Sequence, residues 1–235
     1  MKIMQLSERM RRVAEKVEKC DLIADIGTDH AYIPIYLVKN GVIKRAIAGD
    51  ISKGSVMKAA KNIIRNGCEE RIETRVGNGL KILGEGEYVD TVIMSGMGGM
   101  LMKEIMRERT DIIKNTSQLV LQPQRDIDKV RRYLHDISFR IENEDMFTED
   151  GKYYNIIVCR NGKEDRYSER EYLFGKKLID EKNEVLSAYI EKEMRKMKNV
   201  INSMKDRKEE HILKRKKEIE NEYRIYGEVA ACLTR

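Results

Sequence analysis

At 235 residues the chain has room for one α/β domain of ordinary size plus an appendage, and not for two large cores. Its four cysteines (Cys20, Cys68, Cys159, Cys232) are scattered, with no CxxC pair and no clustered histidines, which argues against a disulfide framework or a metal centre and fits a reducing cytoplasm. The net charge of +6 is concentrated: residues 191–217 hold eleven basic against five acidic side chains, and the rest of the chain is close to neutral. A localised basic surface is the footprint of a polyanion, although a solvated, salt-bridged helix face produces the same pattern. Residues 1–12 carry no apolar core of signal-peptide length, and no run approaches the roughly 18 apolar residues of a membrane span. A soluble, cytoplasmic protein without membrane contact is expected.

From residue 21 to about 161, apolar β-rich runs alternate with amphipathic segments. Strands are expected at 22–26, 45–49, 72–77, 91–95 and 119–122, and helices at 31–39, 52–66, 100–109 and 126–137. Alternation of this kind predicts a parallel sheet covered by helices on both faces. Ser52 suits an N-cap, and Asn40-Gly41 and Gly67 suit helix ends. Two extended runs, 139–147 and 152–160, flank a turn containing Asp150-Gly151. A hairpin closing the sheet is unlike the last unit of an NAD-binding domain and resembles the class I methyltransferase fold, whose seventh strand runs antiparallel between the fifth and sixth. After residue 161 glycine and proline nearly vanish. Apolar positions 186, 190, 194, 197, 201 and 204, then 212, 216 (a lysine), 219, 223 and 226, fall at spacings of three and four on either side of a polar break at 205–210. That pattern predicts an antiparallel helical hairpin with methionines as seam-fillers, a single bent helix being the alternative. The expected domains are 1–161 and 162–235.

The first strand ends in Asp25-Ile26-Gly27-Thr28-Asp29-His30 and the second in Gly49-Asp50-Ile51. Ligands of open α/β sheets bind at the carboxyl ends of the strands, and an acid ending the second strand typically holds ribose hydroxyls. The first turn lacks the GxGxxG spacing of dinucleotide sites. Asp29 would repel a pyrophosphate, whereas the sulfonium and ammonium of S-adenosylmethionine favour nearby acids. A plain helix cap is the alternative role for Asp29. Gly77-Asn78-Gly79 permits close backbone approach, and the Asn78 amide can bond an adenine edge. Ser95-Gly96-Met97-Gly98-Gly99 ends the fourth strand where an acceptor site is expected, with Gln122-Pro123 beside it; glycines there suggest that something approaches the backbone.

Leu6-Ser-Glu-Arg-Met10, Ala24-Asp-Ile-Gly-Thr-Asp-His-Ala-Tyr-Ile-Pro34, Gly49-Asp-Ile51, Gly77-Asn-Gly-Leu80, Ser95-Gly-Met-Gly-Gly99 and Leu121-Gln-Pro123 together resemble the bacterial tRNA adenine-22 N1-methyltransferases, the TrmK family. The likeness runs over essentially the whole chain, and the family often has aspartate where this chain has Asn78. It implies S-adenosylmethionine as cofactor, tRNA as partner and a C-terminal coiled coil. Asp25, Gly27, Asp29, Asp50, Ile51, Asn78, Gly79, Ser95 and Gly96 are the expected cofactor contacts. N1 of adenine has an in-plane lone pair and loses no proton before attack, so alignment and water exclusion are the main demands. Asp29 is the expected stabiliser of the charge developing on the base, with His30 orienting or handling a proton afterwards. Tyr32, Met97, Gly98 and Gln122 are expected at the splayed base. Arg9, Arg11 and Arg12, and Lys205, Arg207 and Lys208, are expected on the tRNA backbone. The sequence leaves the oligomeric state open, with a monomer as the working expectation. The competing functions are a same-fold methyltransferase for a small molecule or protein, and a non-catalytic RNA-binding protein.

Overall fold

The structure is a computed structural model that describes residues 6–205, 207 and 209–234. Lys208, one of the expected tRNA contacts, lies outside the described residues. The chain divides into two compact units at Asp165/Arg166.

The first unit is built on seven strands: β1 (Cys20–Ile26), β2 (Ile43–Asp50), β3 (Ile72–Val76), β4 (Thr91–Met97), β5 (Gln118–Pro123), β6 (Phe139–Glu149) and β7 (Lys152–Asn161). Their order is β3-β2-β1-β4-β5-β7-β6. The first five pair in parallel, and β7 runs antiparallel to both β5 and β6. The mixed sheet expected of the methyltransferase fold is therefore present, with strand termini extended by one to two residues in most cases.

Alternation along the strands separates two cores. Ile23, Ala46, Ala48, Ile93, Val120 and Val158 join one cluster with Val13, Ala14, Ile35, Leu37 and Ile63 of the helices α1 (Glu8–Glu15), α2 (Tyr32–Lys39) and α3 (Lys53–Arg65). Their neighbours Val92, Met94, Leu119 and Leu121 are equally buried and point to the opposite face, as a period of two requires. On this unit's other helices, α4 (Gly99–Glu108), α5 (Thr110–Asn115) and α6 (Ile127–Asp136), the buried side chains include Met102, Ile105, Met106, Ile112, Ile113, Val130 and Leu134. Ser52 caps α3, accepting from the Ser55 N–H at 3.3 Å, and Gly41 and Gly67 follow the ends of α2 and α3 with positive φ.

Helix α1 is not marked in the sequence reading and is a finding of the structure. Ser7 caps it, and Val13 and Ala14 bury one face.

In the second unit α7 (Glu169–Phe174) and α8 (Lys176–Asp180) precede two long helices, α9 (Glu184–Ser203) and α10 (Glu210–Thr234). The long pair pack together as an antiparallel hairpin, with Tyr189 against Tyr226 and Met194 beside Gly227, which excludes a single bent helix. Leu186, Ile190 and Ile219 of the expected stripe are buried.

Candidate active site

The strand order reverses between β1 and β4, and the carboxyl ends of β1, β2, β4 and β5 converge there, where open α/β sheets bind ligands. A cavity of about 230 Å³ opens at this point, lined by Asp25, Gly27, Thr28, Asp29, His30, Tyr32, Ser95, Gly96, Gln124, Ile33, Arg9 and Met10. Six of the predicted cofactor and catalytic positions (Asp25, Gly27, Asp29, His30, Ser95 and Gly96) thus meet around one space, because the turns after β1 and β4 face each other across it.

The turn after β1 is shaped by the backbone. Gly27 has φ +78°, a conformation that favours glycine, and a Cβ there would push the Met97 methyl group aside. The N–H groups of Gly27 and Thr28 both donate to the Gly49 carbonyl, at 2.8 and 3.1 Å, and so join the β1 turn to the end of β2. Asp29 and Ala31 also take the left-handed conformation, at φ +37° and +56°. The cap residue of α2 is Ala31, with no side-chain cap bond, so Asp29 is not the cap of that helix. Its carboxylate instead lies 3.3 Å from His30 Nε2 and 3.9 Å from Lys58 Nζ. The His30 ring stacks on Tyr32 at 5.1 Å with the planes 9° apart, which places Tyr32 beside the pocket and outside the core.

Asp25 is buried and accepts from Thr28 Oγ1 at 2.6 Å. Burial pushes its pKa up to about 6; the Asp50 charge adds to the rise, and the Thr28 hydrogen bond opposes it. Such an acid takes up a proton on folding, so the stability it costs grows as pH rises from about 4 to about 6 and stays constant above. The full cost is on the order of 3 kcal/mol. Asp25→Asn is therefore expected to stabilise the ligand-free protein by about 1–3 kcal/mol at pH 7.5 and to leave it unchanged at pH 4. Urea unfolding at the two pH values checks this, and an equal shift at both would contradict the buried-acid account.

Asp50 ends β2 and accepts from the Ser52 N–H at 2.7 Å, which fixes its carboxylate at the strand end. Ile51 next to it is 70% exposed, an apolar side chain held open to solvent. Asn78 is exposed and its carbonyl accepts from Lys81 N–H, leading into the 3-10 turn Gly79–Ile82. A Cβ on Gly79 would lie 2.8 Å from Ile105, so that glycine serves packing against α4.

At the end of β4 the structure reassigns several expected roles. Gln122 is fully buried, and its Oε1 is shared by Arg9 Nη1 (3.2 Å), Ser95 Oγ (3.2 Å) and the Gly96 N–H (3.1 Å). It holds the β4 turn in place and is not presented to a base. Arg9 also donates to Ser95 Oγ at 3.1 Å, so its guanidinium belongs to the pocket wall. Arg11 pairs with Glu8 and Glu15, and Arg12 with Glu8 and Asp145; both cations are already committed within the unit. The space above Gly98 is taken by Arg125, and a Cβ on Gly99 would strike the Asp126 carbonyl at 2.6 Å. These two glycines admit the 125–126 segment, which is the close approach the sequence had suggested for a ligand. Lys205 and Arg207 are exposed on the connection between α9 and α10, Arg207 lying 3.3 Å from Glu209. Thr28 and Gln124 line the cavity without having been singled out; Thr28 was legible as the only hydroxyl beside the strand-ending acid.

The sequence model of the family described as tRNA (adenine(22)-N(1))-methyltransferase, TrmK, matches residues 23–228. The chain belongs to this family. The methyltransferase is 34% identical to the Bacillus subtilis tRNA (adenine(22)-N(1))-methyltransferase over 165 residues, 70% of this chain and 69% of that one. A Streptococcus pneumoniae protein solved in complex with S-adenosyl-L-methionine superposes on it with a TM-score of 0.85 at 32% identity, covering 96% of this chain and 100% of the other. M. capricolum TrmK, solved with the cofactor product S-adenosyl-homocysteine, matches with a TM-score of 0.85 at 29% identity, over 97% of this chain and 99% of the other. Among its described residues the methyltransferase has no cluster of His, Cys, Asp and Glu that could hold a metal, and no helix long and apolar enough to cross a membrane.

Proposed function

We propose that this methyltransferase binds S-adenosylmethionine between the β1 and β4 turns and methylates N1 of adenine 22 in tRNA, with Asp29 at the reacting base. The observation that carries the reading is the acid-lined cradle: Asp25 and Asp29 line the cavity at a glycine turn, and Asp50 at the neighbouring strand end is near enough for its charge to act on Asp25, an arrangement that repels phosphate and suits a cationic ligand. When bound, the cofactor supplies an electrophilic methyl group on a sulfonium. Asp50 takes the ribose hydroxyls, Ile51 offers an apolar face to the cofactor's base, and Asn78 bonds its edge. Asp25, Gly27, Ser95 and Gly96 form the floor under the amino-acid portion. Asp29 faces the acceptor and stabilises the positive charge that develops on the methylated adenine, while His30 and Tyr32 form a stacked wall that excludes water beside it. Arg9 keeps the β4 turn in register with α1 and borders the acceptor's entry.

The residues of the cradle make two expectations measurable. Asp50→Ala should weaken S-adenosylmethionine binding by about 1.5–3 kcal/mol, the scale of charged hydrogen bonds, with little change in ligand-free thermal stability. Calorimetry checks it, and unchanged affinity removes Asp50 from the site. A cationic ligand favours ionised Asp25, so affinity should rise with pH through about 6. The reaction itself is tested by treating unmodified tRNA with enzyme and labelled cofactor, digesting it, and locating the methylated nucleoside by mass spectrometry. Label in 1-methyladenosine at position 22 is the expected result; label in a protein or metabolite, or none, defeats the reading.

A further inference from the structure

Helix α3 carries Lys53, Lys58, Lys61 and Arg65 and no acidic residue along its thirteen positions. Its buried face is Val56, Ala59 and Ile63, and all four cations point to solvent. Among the described residues Lys53, Lys61 and Arg65 have no acidic partner, unlike Arg11, Arg12, Lys129 and Arg75, which are paired within the same unit. Side chains three or four positions apart on a helix lie about 5–6 Å from each other, so Lys58, Lys61 and Arg65 form one row. Lys39 extends it, its Nζ donating to Asn66 Oδ1 at 2.9 Å just past the helix end.

The position of the row matters more than its charge. Asn62 Nδ2 of the same helix donates to the His30 carbonyl at 3.1 Å, and Lys58 Nζ stands 3.9 Å from Asp29. The row therefore begins at the turn that carries Asp29 and His30 and leads away from it along the surface. Cations without an acidic partner give up no ion pair of the protein when they meet a polyanion, and they displace its counterions.

We propose that α3 is a second tRNA-binding surface, in which Lys53, Lys58, Lys61 and Arg65 take the phosphates of the nucleotides flanking the target adenine. This deepens the function proposed above and rests on it. The surface lies on the catalytic unit itself and positions the strand rather than reading its sequence.

The test uses the full-length chain with Lys53→Gln, Lys61→Gln and Arg65→Gln together; Lys58 is spared because it touches Asp29. Binding to tRNA is expected to weaken at least tenfold at about 0.1 M salt, and the slope of log affinity against log salt to become shallower by about 3, one for each lost phosphate contact. Affinity for S-adenosylmethionine and the melting temperature should stay at wild-type values. A control variant, Lys19→Gln with Lys44→Gln, removes two cations at the other end of the sheet, beside the starts of β1 and β2, and should leave tRNA affinity and slope unchanged. Wild-type affinity and slope in the α3 variant overturn the inference, as does an equal loss in the control, which would make the effect one of net charge alone. Failure of the wild-type protein to methylate tRNA would instead overturn the function on which the inference rests.

Discussion

Replacing Asp29 by asparagine is expected to slow single-turnover methyl transfer by about 100-fold, the scale on which a group aimed at transition-state charge contributes. Asparagine is the informative substitution, since Asp29 sits at φ +37°, a conformation asparagine adopts more readily than alanine. Affinities for cofactor and tRNA should move less than threefold, because the carboxylate is asked to stabilise charge that appears only during reaction. His30→Ala should slow transfer by a smaller factor, through loss of the Tyr32 stack. Wild-type single-turnover rates in Asp29→Asn would assign the carboxylate to local structure.

Removal of the second unit should have a still larger effect on tRNA methylation and almost none on cofactor binding. The natural place for the cut is after Asp165 and not after Asn161: Glu164 accepts from the Ile141 N–H at 2.6 Å and lies 2.9 Å from His135 Nε2, so it closes the first unit. The shortened chain is expected to bind S-adenosylmethionine normally and to lose 10³-fold or more in tRNA affinity at physiological salt, the range for losing several phosphate contacts. Within the intact chain, neutralising Lys205, Arg207 and Lys208 together should weaken binding to all tRNAs alike. Full activity of the shortened enzyme would make the hairpin a stability or interaction element.

What could be read in advance follows from physical range. Strands β1 to β5 and helices α2, α3, α4 and α6 are marked by local periodicity and by capping residues, so the alternating pattern carries them. The hairpin is marked by its stripe and its polar break. Helix α1 is not, because Glu8, Arg9, Arg11 and Arg12 dominate it and only Val13 and Ala14 are buried; its place depends on partners far along the chain. The same holds for the site. Asp25, Asp50 and the glycine of the first turn are local signals, read from the way each strand ends. The duties of Gln122, Gly98 and Gly99 depend on Arg9, Arg125 and Asp126, which no spacing rule brings together.

The tie between Arg9 and its partners bears on how the enzyme comes into being. Arg9 bonds to Ser95, Gln122 and Glu149, which lie 86, 113 and 140 positions downstream. On a ribosome adding about 5–20 residues per second, α1 emerges first and must wait several seconds for the last of these. A nascent chain halted before β6 therefore owns every acid of the cradle and the Ser95 and Gln122 partners of the Arg9 guanidinium, and it still lacks Glu149, the acceptor that fixes the Arg9 backbone at the start of α1.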